Sequence, residues 1–149
     1  MKKPEALRAA LVKHNRYIRD NPDQLHVFVD AGRLRSTHAA GAIGSLGGSF
    51  MYEYTLTIIV TDYPDDSATL MLPIVAWAAD WQPELLANDD RQRDGIKFEA
   101  EIRTQTTADV QIEIKLTESV DVRYVEGNPT FSYRDEPLLD AETRAFLGV

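Results

Sequence analysis

The chain holds three histidines and no cysteine, so any metal-ligating or proton-shuttling chemistry must rest on His14, His26 and His38 together with carboxylates. No two histidines have the i, i+4 spacing of a zinc-binding helix, and no HExxH occurs. Ser36 and Thr37 set hydroxyls beside His38, but neighbouring side chains on an extended chain point to opposite faces, which is the wrong geometry for a nucleophile and its base. Asp62, Asp65 and Asp66 lack the regular odd-position ligands and closing glutamate of a calcium loop, and read as a solvated turn with a helix cap at Asp66 or Ser67. Asp89 and Asp90 lie beside Arg91 and Arg93, which neutralise them. The glycines from Gly41 to Gly48 invite a phosphate-cradle reading. No lysine follows them and a strand, not a helix N-terminus, comes next, so that reading fails as well. The expectation is a chain without a catalytic residue, a metal site or a cofactor.

The elements around these residues are clearer than the chemistry. "LMLPIVAWAADWQPELL" begins at Leu70, and its apolar run stops at Asp80, far short of the roughly 20 residues a membrane span needs. A carboxylate at that depth would add about 3 kcal/mol, so a membrane partner is excluded for this segment. Leu70, Ile74, Trp77 and Trp81 fall on one helical face, with Pro73 read in the first turn and Pro83 closing the helix. Met71, Leu72, Val75, Ala78 and Ala79 leave almost no polar side, which predicts a central helix buried nearly all round. The alternative is a helix that covers one face of a sheet and offers its other face to a second subunit, a use for which tryptophan is well suited.

Upstream, Leu7, Leu11, His14 and Ile18 mark a face of an N-terminal helix that "NPD" stops, in place of a signal peptide. Leu25, Val27 and Val29 alternate with His26 and Phe28 in a strand ended or bulged at Gly32. Tyr52, Tyr54, Leu56, Ile58 and Val60 share one face of the next strand, opposite Glu53, Thr55, Thr57 and Ile59. A polar loop, "ANDDRQRDG", leads to two alternating strands. Ile96, Phe98, Ala100 and Ile102 face inward on the first, and Val110, Ile112, Ile114 and Leu116 on the second. "VDVRYV" and "TFSYRD" flank "EGNP" as a terminal hairpin, and "DAETRAFL" is a short helix capped by Asp140. The fold class is therefore α+β, a mainly antiparallel sheet with helices on one face, in a single domain over 1–149. Residues 1–118 form its core, and 119–149 form a C-terminal hairpin and short helix. A net charge of -8 argues against a sequence-independent DNA-binding surface but not against a protein past which DNA slides. The absence of cysteine suits a reducing cytosol.

"LRAAL", "NPDQLHVFVDAGRLRST", "YEYTLTIIVTDYPDD", "LPIVAWAADWQPEL" and "IKLTE" occur in that order between Leu7 and Glu118. Together they resemble the tail completion protein R family of temperate contractile-tailed bacteriophages. The resemblance implies a tail-terminator-like fold and a structural protein of the virion tail, assembled in the host cytoplasm. Such a protein would finish the head-proximal end of the tail tube and sheath and make the tail competent to join the head. It implies a ring, hexameric on the tail, whose partners are tube, sheath and head-completion proteins, with DNA passing unbound. It brings no catalytic residues.

Given such a ring, subunit contacts are expected on the edge strand with Leu25, Val27 and Val29, on Tyr52 and Tyr54, and on the glycine-rich stretch with His38, Gly41, Gly44 and Gly47. The tyrosines serve equally well as core residues. Glu53, Glu99, Glu101 and Glu113, on the wet sheet faces, are expected to supply charge facing the pore. The competing reading is a small-molecule-binding domain with its pocket between the Trp77 helix and the sheet.

Overall fold

A computed structural model describes residues 1–38, 48–137 and 139–148, without the side chains of Thr37 and His38. Helix α1 (Lys3–His14) takes Pro4 in its first turn and ends where Asn15 turns extended. The Asn15 side chain then caps α2 (Arg16–Asp20) by accepting from the Ile18 N–H at 3.1 Å. This break shifts the inward face, so Leu7, Leu11, Asn15 and Ile18 are buried, whereas His14, expected on that face, is exposed.

After a single 3-10 turn (Pro22–Gln24), β1 (Leu25–His38) and β2 (Gly48–Tyr63) pair antiparallel from Leu25 opposite Val60 to His38 opposite Ser49. The strand expected to end or bulge at Gly32 instead continues through His38, and its irregularities fall between Val29 and Ala31 and between Ser36 and His38. Gly32 answers to a packing need: a Cβ there would lie 3.1 Å from the Cβ of Tyr54 on the neighbouring strand.

Helix α3 (Ala68–Trp81) begins before Leu70, which places Pro73 in its interior and not in its first turn. Proline has no N–H to give the carbonyl four residues back. The Thr69 carbonyl, so released, accepts from Asn15 Nδ2 at 3.5 Å. The helix is also not buried all round. Leu70, Ile74, Trp77 and Ala78 are in the core, while Leu72 is 71% exposed and Ala76 and Asp80 are exposed beside it. The helix thus covers one face of the sheet and leaves its other side open. The chain ends α3 at Gln82, before Pro83, and continues in α4 (Glu84–Ala87). The segment expected as a polar loop is a further helix, α5 (Asp89–Gly95), because the Asn88 side chain accepts from the N–H groups of Asp90 and Arg91.

Strand β3 (Ile96–Ile102) pairs with β4 (Ala108–Val125), and β5 (Asn128–Tyr133) returns after a two-residue turn in which Glu126 and Gly127 both have positive φ. Helix α6 (Ala141–Leu147) starts at Asp140, whose carboxylate accepts from the Thr143 N–H at 2.7 Å. The sheet order is β1-β2-β4-β3, all antiparallel, and β5 pairs with β4 on the edge that β3 uses. β4 runs unbroken across position 118, from its pairing with β3 to its pairing with β5.

Leu56, Ile58 and Val60 on β2 and Val110, Ile112, Ile114 and Leu116 on β4 form one cluster with Leu7, Leu11, Ile18, Leu70, Ile74, Trp77 and Leu85. Full burial of each such side chain contributes about 1.5–3 kcal/mol. The fold is α+β as the alternation implies, with α1 and α3 on one face of the sheet. Register puts Phe98 and Ile102 on this helical side, opposite Ile112 and Ala108. They are nevertheless 64% and 81% exposed, because the helical layer stops short of the outer strand.

Candidate functional site

Where β4's edge lies open between β3 and β5, polar side chains close it. Thr117 donates its N–H to Gln82 Oε1 at 3.2 Å, and its carbonyl accepts from Lys3 Nζ at 2.5 Å. Lys3 also donates to Gln82 Oε1 at 2.5 Å and to Glu136 at 2.7 Å. Glu118, 4% exposed, turns to the helical side, where Oε1 accepts from the N–H groups of Lys2 and Lys3 at 2.6 and 3.2 Å and Oε2 accepts from the Tyr54 hydroxyl at 2.6 Å. A carboxylate at the positive end of α1 satisfies N–H groups the helix itself leaves unpaired. Burial, first, and the bond to Glu118 push the Tyr54 phenol well above its ordinary value. These groups lock the N-terminal helix to the sheet. Lys3, Gln82 and Glu118 carry no sequence signal of this role, since they are far apart in the chain.

The residues expected to make subunit contacts divide by location. β1 is an edge strand, with its outer backbone edge unpaired among the described residues. Leu25 is buried and Val27 half-buried against the chain's own core, while Val29 is 37% exposed and Phe28 44% exposed. Tyr54 is a core residue. Tyr52 is half-buried and meets Phe50 edge-on with centroids 5.4 Å apart. The His38 side chain and Gly41, Gly44 and Gly47 lie outside the described residues.

The four glutamates expected to face a pore do share a side of the sheet. Glu53 lies opposite Thr117, Glu113 opposite Lys97, Glu99 opposite Gln111 and Glu101 opposite Asp109, all on the face away from α1 and α3. Their charges are not equally free. Glu53 is bonded by Arg33 and also paired with Arg35 at 3.5 Å, and Glu101 lies 3.6 Å from Arg103. On the same face the Asp62 N–H and the Arg103 guanidinium hold the Asp109 carboxyl below the usual carboxylate range. The two-residue spacing of Arg33 and Arg35 becomes informative once β1 is known to run that far.

On the other side, Trp77 and Trp81 stack with centroids 6.2 Å apart and planes at 6°. They line an outer groove of about 420 Å³ between α1 and α3, together with Ala6, Ala10 and Ala76. The space between the Trp77 helix and the sheet, where the competing reading sets a small-molecule pocket, is occupied by the apolar cluster itself. Among the described residues no helix is long and apolar enough to cross a membrane, and no group of three or more metal-ligating side chains gathers.

The model of the P2 phage tail completion protein R family matches residues 1–137, reaching past the stretch from Leu7 to Glu118 that carries the resemblance. Tail completion protein R of Escherichia phage P2 is 39% identical over 127 residues, which is 85% of this chain and 78% of that protein. No solved structure matches the chain. On the match over residues 1–137 and the identity to that relative, the chain belongs to the P2 phage tail completion protein R family, structural proteins of bacteriophage tail assembly.

Proposed function

We propose that this tail completion protein caps the head-proximal end of the tail tube and sheath as a ring, hexameric on the tail, and makes the tail competent to join the head. The observation that carries the reading is the family match across residues 1–137 in a chain whose sheet ends, among the described residues, in an edge strand with one side unpaired. An edge presents a row of backbone donors and acceptors to a neighbour, and a head-to-tail contact repeated around an axis closes a ring. The irregularities at Asp30 and between Ser36 and His38 divide that edge, which limits pairing to a short register and guards the free chain against open-ended association. Tube, sheath and head-completion proteins are the partners in this reading, and assembly takes place in the host cytoplasm.

In the ring, the sheet face away from α1 and α3 turns toward the passing DNA at its Glu99, Glu101 and Glu113 end. Like charge keeps phosphates from adhering there. The test is light scattering with size-exclusion chromatography across concentration, repeated with purified tail tubes. Hexamers, or monomers that sediment with tubes and decorate one end only, are expected. A monomer indifferent to tubes at every concentration would overturn the assignment.

A further inference from the structure

The sheet face that carries the acidic residues at one end is basic at the other. There it opens into a trough of about 500 Å³ lined by Arg33 and Arg35 of β1, Glu53 of β2, Lys115 of β4 and Arg91 of α5. Glu53 serves both β1 arginines, and Asp94 holds Lys115 at 2.6 Å. Four cations thus face two carboxylates in a chain of net charge -8. The side chains of Arg33, Arg35 and Lys115 remain 76%, 59% and 49% exposed.

Opposite charge gathers where β1 begins and β2 ends. Asp20, paired with Arg16 at 3.5 Å, and Asp23 precede β1, and Asp62, Asp65 and Asp66 close β2, all of them exposed. Because Leu25 lies opposite Val60, the two short segments leave the sheet at the same end. The trough lies along β1 and β2 toward their other end. The molecule therefore carries complementary patches that cannot meet within one copy.

We infer that the basic trough of one copy receives the acidic end of the next, residues 20–23 and 62–66, in a head-to-tail contact. The inference rests on the ring reading above and gives that ring its polar contact. Joining unlike patches fixes direction, since two troughs or two acidic ends repel. Desolvation at the contact strengthens pairs that are weak on the free surface.

The experiment measures binding to purified tail tubes by sedimentation, with circular dichroism and urea midpoints as controls on folding. Arg33→Glu with Arg35→Glu is expected to weaken tube binding about tenfold or more. Adding Asp23→Lys and Asp65→Lys to the same chain is expected to return most of it, because every copy then carries both reversed patches. Arg35→Ser with Arg91→Ser introduces no new repulsion and is expected to weaken binding in the same direction, whatever the glutamate variant does to folding. Unchanged binding in both arginine variants would overturn the inference while leaving the ring reading intact. Failure of the wild-type chain to bind tubes would instead remove the ring reading. The inference is also overturned if the lysine substitutions restore nothing and the wild-type chain binds duplex DNA in a salt-sensitive way that Arg35→Ser with Arg91→Ser abolishes. The trough would then be a phosphate site.

Discussion

The Tyr54 hydroxyl donates to the Glu118 carboxylate at 2.6 Å across the buried side of β2 and β4, and the same carboxylate receives the first N–H groups of α1. One pair thereby joins the N-terminus to the centre of the sheet. Tyr54→Phe leaves a buried acceptor short of one donor and is expected to cost about 1–3 kcal/mol. Glu118→Ala strands three donors and is expected to cost more. Gly32→Val, which would drive a side chain into Tyr54, should resemble Tyr54→Phe or exceed it. Urea unfolding midpoints of the three variants check the order; equal midpoints for wild type and Glu118→Ala would show that α1 is held by other means.

The two sides of α3 should respond oppositely to mutation. Ile74→Ala removes a side chain 1% exposed in the core and is expected to cost about 2–5 kcal/mol. Leu72→Glu, at a site 71% exposed, is expected to stay within about 0.5 kcal/mol of wild type. Thermal unfolding of both variants is sufficient. Gross destabilisation by Leu72→Glu would mean that the helix is enclosed on all sides.

Acid should destabilise the chain late. Lys115 beside Asp94, the Asp62 N–H and Arg103 beside Asp109, Arg134 beside Asp121 and the Thr143 N–H beside Asp140 each hold the carboxyl below the usual range. A depressed folded value contributes stability that is present above the unfolded aspartate value, about 3.9, and disappears as pH falls through the lower folded values. The urea midpoint is therefore expected to stay level from neutral pH to about 4 and then to fall, less steeply in high salt because Asp94 and Asp140 are exposed and Asp121 is half-exposed. A midpoint that fell between pH 7 and 5 would assign the loss to other groups.

Charge on the acidic end of the open sheet face should matter to DNA and not to folding. Glu99→Lys, Glu101→Lys and Glu113→Lys together are expected to leave tail assembly intact and slow DNA ejection. Ejection followed by release of a DNA-bound dye is the measurement, and an unchanged rate would remove the pore-facing assignment. Glu53 is left out of this set because its loss would also release Arg33 and Arg35.

The elements with strong alternation are legible in the amino-acid pattern alone. Leu56, Ile58 and Val60 and their partners Val110, Ile112 and Ile114 face the core as their period of two requires, and the hairpin at Glu126 and Gly127 and the Asp140 cap follow from local chemistry. Asn88 also carries its cap in plain view, but the charges after it read as a loop because no apolar face accompanies them. Pro73 misleads for a different reason. A proline inside a helix costs less where another donor meets the carbonyl it releases, and the donor here, on Asn15, comes from a distant part of the chain.

Local patterns and family motifs in the chain are enough to establish an α+β fold, a helix too short for a membrane, and membership of a tail completion family. They do not reach the features that depend on three-dimensional packing: which face of α3 stays open, that Tyr54 serves the core, that Glu118 receives the start of α1, and that Arg33, Arg35, Arg91 and Lys115 line one trough. The physical reason is the range of the interactions. Periodicity and caps act within a few residues, whereas burial and charge pairing depend on which distant segments the sheet register brings together.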